Sequence, residues 1–242
     1  MKIPQLEKKL EIKSCHNLTW EDNYSWIHQE NILEVLKDSS KLLPEVRKYL
    51  EEENKFTEFH LKDTKKIQKE LFNEIKGRIK LDDESIPFKD KHYEYWTKTT
   101  EKGNYSIKLR KKIGSDKIEE IWNGDFEKEK LKIEYFGVGD LEVSWNDRLL
   151  AYSLDLRGSE YYTIHVRNIF TNEPVTEKIE ETSGSILFSL DDKYIFYSKL
   201  DKNHRPRKIF RHELGTPTKN DLLIFEEKSE AFTVGIGLSS DE

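Results

Sequence analysis

Ser144-Trp145-Asn146-Asp147-Arg148-Leu149-Leu150-Ala151-Tyr152-Ser153 is echoed 45 residues later by Ser189-Leu190-Asp191-Asp192-Lys193-Tyr194-Ile195-Phe196-Tyr197-Ser198. Under that shift Ser144, Asp147, Leu150, Tyr152 and Ser153 fall on Ser189, Asp192, Ile195, Tyr197 and Ser198, and Ile164 falls on Ile209. Each copy reads as an apolar strand, a Ser-X-X-Asp turn, an aromatic strand, a longer turn and a third strand. A repeat of this length, with about four short strands, is the mark of a propeller blade. Any β meander has a similar rhythm, so two copies favour a propeller over a sandwich and stop short of excluding the sandwich.

Working outward, the same β pattern begins near residue 91. His92–Thr97 and Tyr105–Leu109 flank Glu101-Lys102-Gly103-Asn104, a hairpin signature. Aromatic and β-branched runs recur at Leu149–Leu154, Tyr161–Val166, Ile186–Ser189, Tyr194–Leu200, Lys208–His212 and Leu222–Phe225, with Gly, Asp, Asn and Pro between them. Residues 1–80 read differently, as helical. Pro44 suits a first helical position, and Val46, Tyr49, Leu50, Glu53 and Phe56 follow at spacings of three and four. Asp63 or Thr64 is the expected cap of a second helix, whose Ile67, Leu71, Ile75 and Ile79 repeat every four residues. Such a stripe is expected to face a core. The expected architecture is therefore mixed α and β. An N-terminal helical extension (1–80) precedes an incomplete, open propeller (81–242) with blades at about 91–125, 141–180 and 185–228 and the start of a fourth. Asp82–Asp90 is the expected seam.

Composition narrows the class. Of 242 residues, 36% are charged, 35% hydrophobic and 12% aromatic, and 41 basic against 47 acidic residues give a net charge of −6. The aromatics are too many for a disordered chain, and the negative balance opposes general nucleic-acid binding. Lys76-Gly77-Arg78-Ile79-Lys80 is basic, but lysines at a helix C-terminus answer the helix dipole. No apolar run approaches the ~20 residues of a membrane helix, so no membrane partner is expected. The single Cys15 and the absence of an apolar signal core lead to the expectation of a cytoplasmic protein.

The chemistry that breaks bonds is missing from the sequence. There is no Gly-X-Ser-X-Gly elbow, since Gly237-Leu238-Ser239-Ser240-Asp241 lacks the second glycine. No His-Glu-X-X-His, Cys-X-X-Cys or P-loop occurs, so no catalytic residue, metal or cofactor is expected. His165 and His212 fall in expected strands and read as packing or hydrogen-bonding residues. Asp82-Asp83-Glu84 lacks calcium-loop spacing.

Glu21–Ile27, containing Tyr24-Ser25-Trp26-Ile27, and Tyr49-Leu50-Glu51-Glu52-Glu53-Asn54 resemble two N-terminal segments of the prolyl oligopeptidase family. Glu70–Lys80, Asp82-Asp83 and Ser85-Ile86-Pro87 resemble the oligopeptidase B (protease II) branch. So do Leu150–Asp155, Gly158-Ser159-Glu160, Arg205-Pro206, Arg211–Pro217 and Leu223–Glu227. The motifs run in family order over nearly the whole chain. Asn23 stands where proline is usual, and Trp145-Asn146 where many relatives carry proline and aspartate.

This resemblance implies a larger enzyme with a helical extension, a seven-bladed propeller and a C-terminal α/β-hydrolase domain. Such enzymes cleave short peptides after Arg or Lys with a Ser-Asp-His triad that lies wholly in the hydrolase domain, so no triad residue carries over here. The chain is accordingly expected to be an N-terminal fragment, inactive alone. Its expected partner is a separate hydrolase half, or another copy through open blade edges, with peptides as substrates of the assembled enzyme. Asp155, Arg157 and Glu160, in a polar turn, are the candidates for contact with the hydrolase domain or the substrate route; a solvated turn is the plainer reading. The alternatives are a non-catalytic interaction module and a decayed gene product. The scarcity of alanine (Ala151 and Ala231 only) amid Lys, Ile, Asn and Glu leans toward the latter.

Overall fold

His16 and Asn17 both adopt positive φ (46° and 63°) and reverse the chain, pairing β1 (Glu11–Cys15) with β2 (Leu18–Asp22). Left-handed residues at both centres of a two-residue turn give the twist that antiparallel strands need, and Asn tolerates it well. This hairpin corrects the expectation that residues 1–80 are helical throughout. Its strands are short and almost wholly exposed, so no apolar alternation marks them. In the computed structural model, which describes residues 1–239, the chain divides into a unit spanning Met1–Lys80 and a second that begins at Leu81.

The first unit continues with α1 (Ile32–Lys37), α2 (Pro44–Leu61) and α3 (Lys65–Gly77). Pro44 occupies the first turn of α2, where a missing N–H costs nothing. Buried Gln29 fixes that start. Its Oε1 accepts the Leu43 N–H at 2.6 Å, while its Nε2 donates to Asn31 Oδ1 at 2.9 Å and Lys41 O at 3.2 Å. A 3-10 turn at Lys62–Thr64 joins α2 to α3. Thr64 is the N-cap residue of α3, as expected, but its side chain makes no capping bond, since its hydroxyl donates back to Leu61 O (2.7 Å). The α3 stripe is also not core-facing: Ile67, Leu71, Ile75 and Ile79 are 49–61% exposed.

The second unit is built from antiparallel strands. β3 (Asp83–Glu84) and β4 (Phe88–Asp90) pair with opposite ends of β5 (Tyr93–Thr99), which leads to β6 (Ile107–Lys112) and β7 (Ile118–Asn123). The expected seam is thus partly strand. α4 (Gly124–Leu131) follows, an element absent from the sequence reading. Asn123 Oδ1 caps it by accepting the Phe126 N–H, and Lys132 ends it in the left-handed region.

A seven-stranded sheet then runs in sequence order through β8 (Gly137–Val143), β9 (Leu149–Asp155), β10 (Tyr162–Asn168), β11 (Ile179–Phe188), β12 (Tyr194–Leu200), β13 (Pro206–Glu213) and β14 (Leu222–Glu226). The early part of β11 pairs with β10 (Ile164 opposite Ile179). Its later part pairs with β12 (Ile186 opposite Tyr197). Between them lie Glu181 and Gly184, at φ of 60° and 96°. The two sequence copies therefore share one long, kinked strand. Gly184 is needed there, since a Cβ would sit 2.9 Å from the Tyr162 ring in a conformation L side chains avoid. Ser153 holds the kink from β9: its hydroxyl donates to Gly184 O (2.7 Å) and accepts the Asp140 N–H (2.9 Å).

Leu150, Ile164, Ile179 and Ile195 have essentially no exposed surface, and Trp122 stacks on Phe136 where β7 meets the seven-stranded sheet. The fold is mixed α and β, with several sheets. The expected start of a fourth blade falls partly on residues 240–242, outside the described residues. Among the described residues no helix is long and apolar enough to cross a membrane.

Candidate functional site

The Ser-X-X-Asp turns act as fasteners between neighbouring strand groups. Lys91, Asp147 and Asp192 each close the turn before a second strand and all take positive φ (51°, 62° and 56°). Asp192 reaches the turn 45 residues back, where its carboxylate accepts the Trp145 N–H at 2.6 Å and the Asn146 N–H at 2.8 Å. Asp147 reaches the five-stranded sheet, where His92 Nδ1 lies 2.8 Å from Oδ2 and the Tyr95 hydroxyl donates to Oδ1 at 3.1 Å. Burial, with the Asp147 carboxylate facing it, pushes the Tyr95 phenol far above its ordinary pKa. Fully buried Arg110 completes this joint, donating from Nη1 to Asp147 O (2.7 Å) and from Nε to Glu119 (2.9 Å), with its guanidinium 4.1 Å from the Tyr93 ring. Lys91 carries no carboxylate and instead lays its ammonium over Trp145 at 4.1 Å.

One place assembles a hydroxyl, an imidazole and a carboxylate in series. Thr176 Oγ1 is 2.6 Å from His212 Nε2, and His212 Nδ1 is 2.6 Å from Asp221 Oδ1. The Tyr197 hydroxyl donates to the other Asp221 oxygen at 2.6 Å. With Nδ1–H donating to Asp221, a neutral imidazole leaves Nε2 to accept the Thr176 hydroxyl. His212 has no exposed surface, so no leaving group reaches the nitrogen that a general base would use. The chain is a lock joining β12, β13, the turn before β14 and the β10–β11 loop. His212 is thus a hydrogen-bonding residue, in line with the reading of its strand.

The expected site residues share the β9–β10 turn. Asp155 is buried, and its Oδ1 accepts the N–H groups of Arg157 (2.9 Å) and Gly158 (3.0 Å) while Oδ2 accepts that of Glu160 (2.7 Å). Its carboxylate is spent inside the turn, so that of the three residues Arg157 and Glu160 are the ones exposed. His204, not singled out in the sequence, joins this turn to the β12–β13 turn. Its Nε2 is 3.2 Å from Ser159 O and its ring meets Tyr161 edge-on at 4.5 Å. The signal was available: Asp201 lies 46 residues after Asp155 and organises its own turn by accepting the Asn203 and Arg205 N–H groups at 2.7 and 3.0 Å. Among the described residues no three His, Cys, Asp or Glu side chains converge on a metal-sized space.

The family model described as prolyl oligopeptidase, N-terminal beta-propeller domain, matches residues 4–242. The chain belongs to this family. Dipeptidyl aminopeptidase BI of Pseudoxanthomonas mexicana is 30% identical over 255 residues, and Protease 2 of Moraxella lacunata 26% identical over 246. Each alignment covers 99% of this chain and 34% of the relative, so the chain spans about a third of the length of these relatives. Oligopeptidase B from Trypanosoma brucei shares the fold with a TM-score of 0.84 at 22% identity, over 99% of this chain and 34% of that one. The Leishmania major oligopeptidase B gives 0.83, also at 22% identity, over 96% and 34%. What this family domain contributes here is a stack of hydrogen-bonded strand groups and the turns at their ends.

Proposed function

We propose that this chain is the N-terminal and propeller portion of an oligopeptidase B-like serine peptidase that cleaves short peptides after Arg or Lys. The observation that carries the reading is a family match along essentially the full chain, against relatives about three times as long. On this reading residues 1–80 are the extension, and the strand groups β3–β7, β8 to early β11, and late β11 to β14 are three blades of an open ring. Residues 231–239 begin a fourth. The chain's role is access control, admitting flexible peptides and excluding folded proteins. Arg157 and Glu160 face the hydrolase half or the substrate route, with Asp155 shaping their turn. Attack on the peptide carbonyl, oxyanion stabilisation and the acyl-enzyme belong to the hydrolase half, in a cytoplasmic setting.

The test is affinity capture of the tagged chain from its native cells, followed by mass spectrometry. A stoichiometric polypeptide with a Gly-X-Ser-X-Gly elbow, and arginyl-amide hydrolysis by the reconstituted pair but not by this chain, is the expected result. Serine-dependent turnover by the pure chain, or a stoichiometric partner unrelated to peptidases, would overturn it. The second outcome is that of a non-catalytic interaction module, a reading favoured by the exposed apolar strand β14.

A further inference from the structure

The β10–β11 loop and the end of α4 enclose a pocket of about 460 Å³ with an unusual charge for so acidic a chain. Its walls include Lys130, Arg167, Lys178, Tyr152, His165 and Glu177. Two carboxylates stand beside these cations: Glu127 is ion-paired to Arg167, and the exposed Glu177 keeps its charge while accepting the Thr218 N–H. Lys130 and Lys178 have no ion-pair partner among the described residues. Arg167 donates to Glu127 and, at 3.2 Å, to Ile121 O, and lies 5.2 Å from the Tyr152 ring, which stacks on His165 at 5.0 Å and 5°. We propose that this pocket binds a small phosphate-class anion, with Lys130 and Lys178 as its principal contacts and the edge of the Arg167 guanidinium behind them. The site is separate from the peptidase reading and does not rest on it.

The electrostatic reason is that, with Arg167 balanced by Glu127, the unpaired Lys130 and Lys178 ammonium groups outnumber the Glu177 carboxylate, and the low-dielectric aromatic wall strengthens the field they leave. His165 registers that field: burial first, and then the Lys178 charge, hold its pKa down to about 4. A charge-assisted contact to each lysine is the strongest interaction the pocket offers a ligand.

The experiment titrates inorganic pyrophosphate into the purified 242-residue chain at low ionic strength, by calorimetry and by the NMR signals of the His165 ring. Saturable binding is expected, with the His165 resonances moving and the ring's pKa rising as the anion offsets the lysines. Lys130→Gln and Lys178→Gln should each weaken binding about tenfold, the loss of one charge-assisted hydrogen bond. Lys102→Gln, on the β5–β6 turn, should leave it unchanged. Absent saturation, indifference to the two pocket substitutions, or an equal effect of Lys102→Gln would each overturn the proposal. Far-UV circular dichroism on every variant shows that a lost signal is not lost fold.

Discussion

Asp192 satisfies two backbone N–H groups, those of Trp145 and Asn146, in the turn one repeat earlier. Asp192→Ala is expected to cost about 1.5–3 kcal/mol, the range for hydrogen bonds to a charged acceptor, and also places alanine at a φ of 56°. Asp192→Asn keeps one acceptor oxygen and a residue that tolerates this backbone, so its loss should be clearly smaller. Urea denaturation of both variants checks the order; equal losses would mean that the inter-turn bonds contribute nothing. His165 gives a second residue-scale prediction, in pH. Its folded pKa, about 4, lies below the ordinary 6.5. The unfolded chain therefore binds the proton first, and stability present above pH 6.5 is lost as pH falls toward 4, by at most about 1.4 kcal/mol per unit. His165→Gln should remove that component, seen as a flatter stability profile between pH 7 and 4.5; parallel profiles would contradict it.

Among the elements, β10 and α3 show how differently a periodic apolar pattern can be used. Ile164 in β10 is fully buried between neighbours on β9 and β11, so Ile164→Ala should cost about 2–5 kcal/mol in chemical denaturation. Ile75 in α3 is 61% exposed, and Ile75→Glu should change stability by no more than about 0.5 kcal/mol. A large loss at Ile75 would mean that the stripe is covered in solution. Both stripes were legible in the sequence, because period four and period two are written in side-chain type. What covers a stripe is not written there, and the core-facing expectation for α3 went astray on that point. The hairpin β1–β2 escaped notice for the opposite reason, having almost no buried residue to alternate. In α4, eight residues are too few for an amphipathic period, and only the Asn123 cap marked its start. The Ser-X-X-Asp repeat was visible, and so was the family; the joints made by Asp147, Asp192 and His212 were not. They depend on which turn lies beside which, a fact of the folded sheet rather than of spacing.

For the molecule as a whole, the unpaired edge of the seven-stranded sheet is the feature with the largest consequence. Among the described residues β14 pairs with β13 on one side only, and Leu222, Leu223, Ile224 and Phe225 are each 42–51% exposed. Residues 234–237 cross part of the sheet beside it, leaving an apolar groove of about 560 Å³ against Leu187, Phe196, Ile209 and Phe225. A flat apolar edge with free N–H and C=O groups is a template for another strand, and closure or charge is how native sheets suppress it. Glu226 is the only charge on the strand, and it is partly neutralised by Lys208 at 3.3 Å. For the isolated chain the expected consequence is association of copies through this edge, concentration-dependent across the micromolar range. Leu223→Lys adds the charge that edge strands ordinarily carry at a half-exposed position, so it should shift sedimentation toward the monomer while leaving far-UV circular dichroism unchanged. A wild-type chain that stays monomeric throughout that range, with a sharp and reversible unfolding transition, would show instead that β14 is protected within the chain itself.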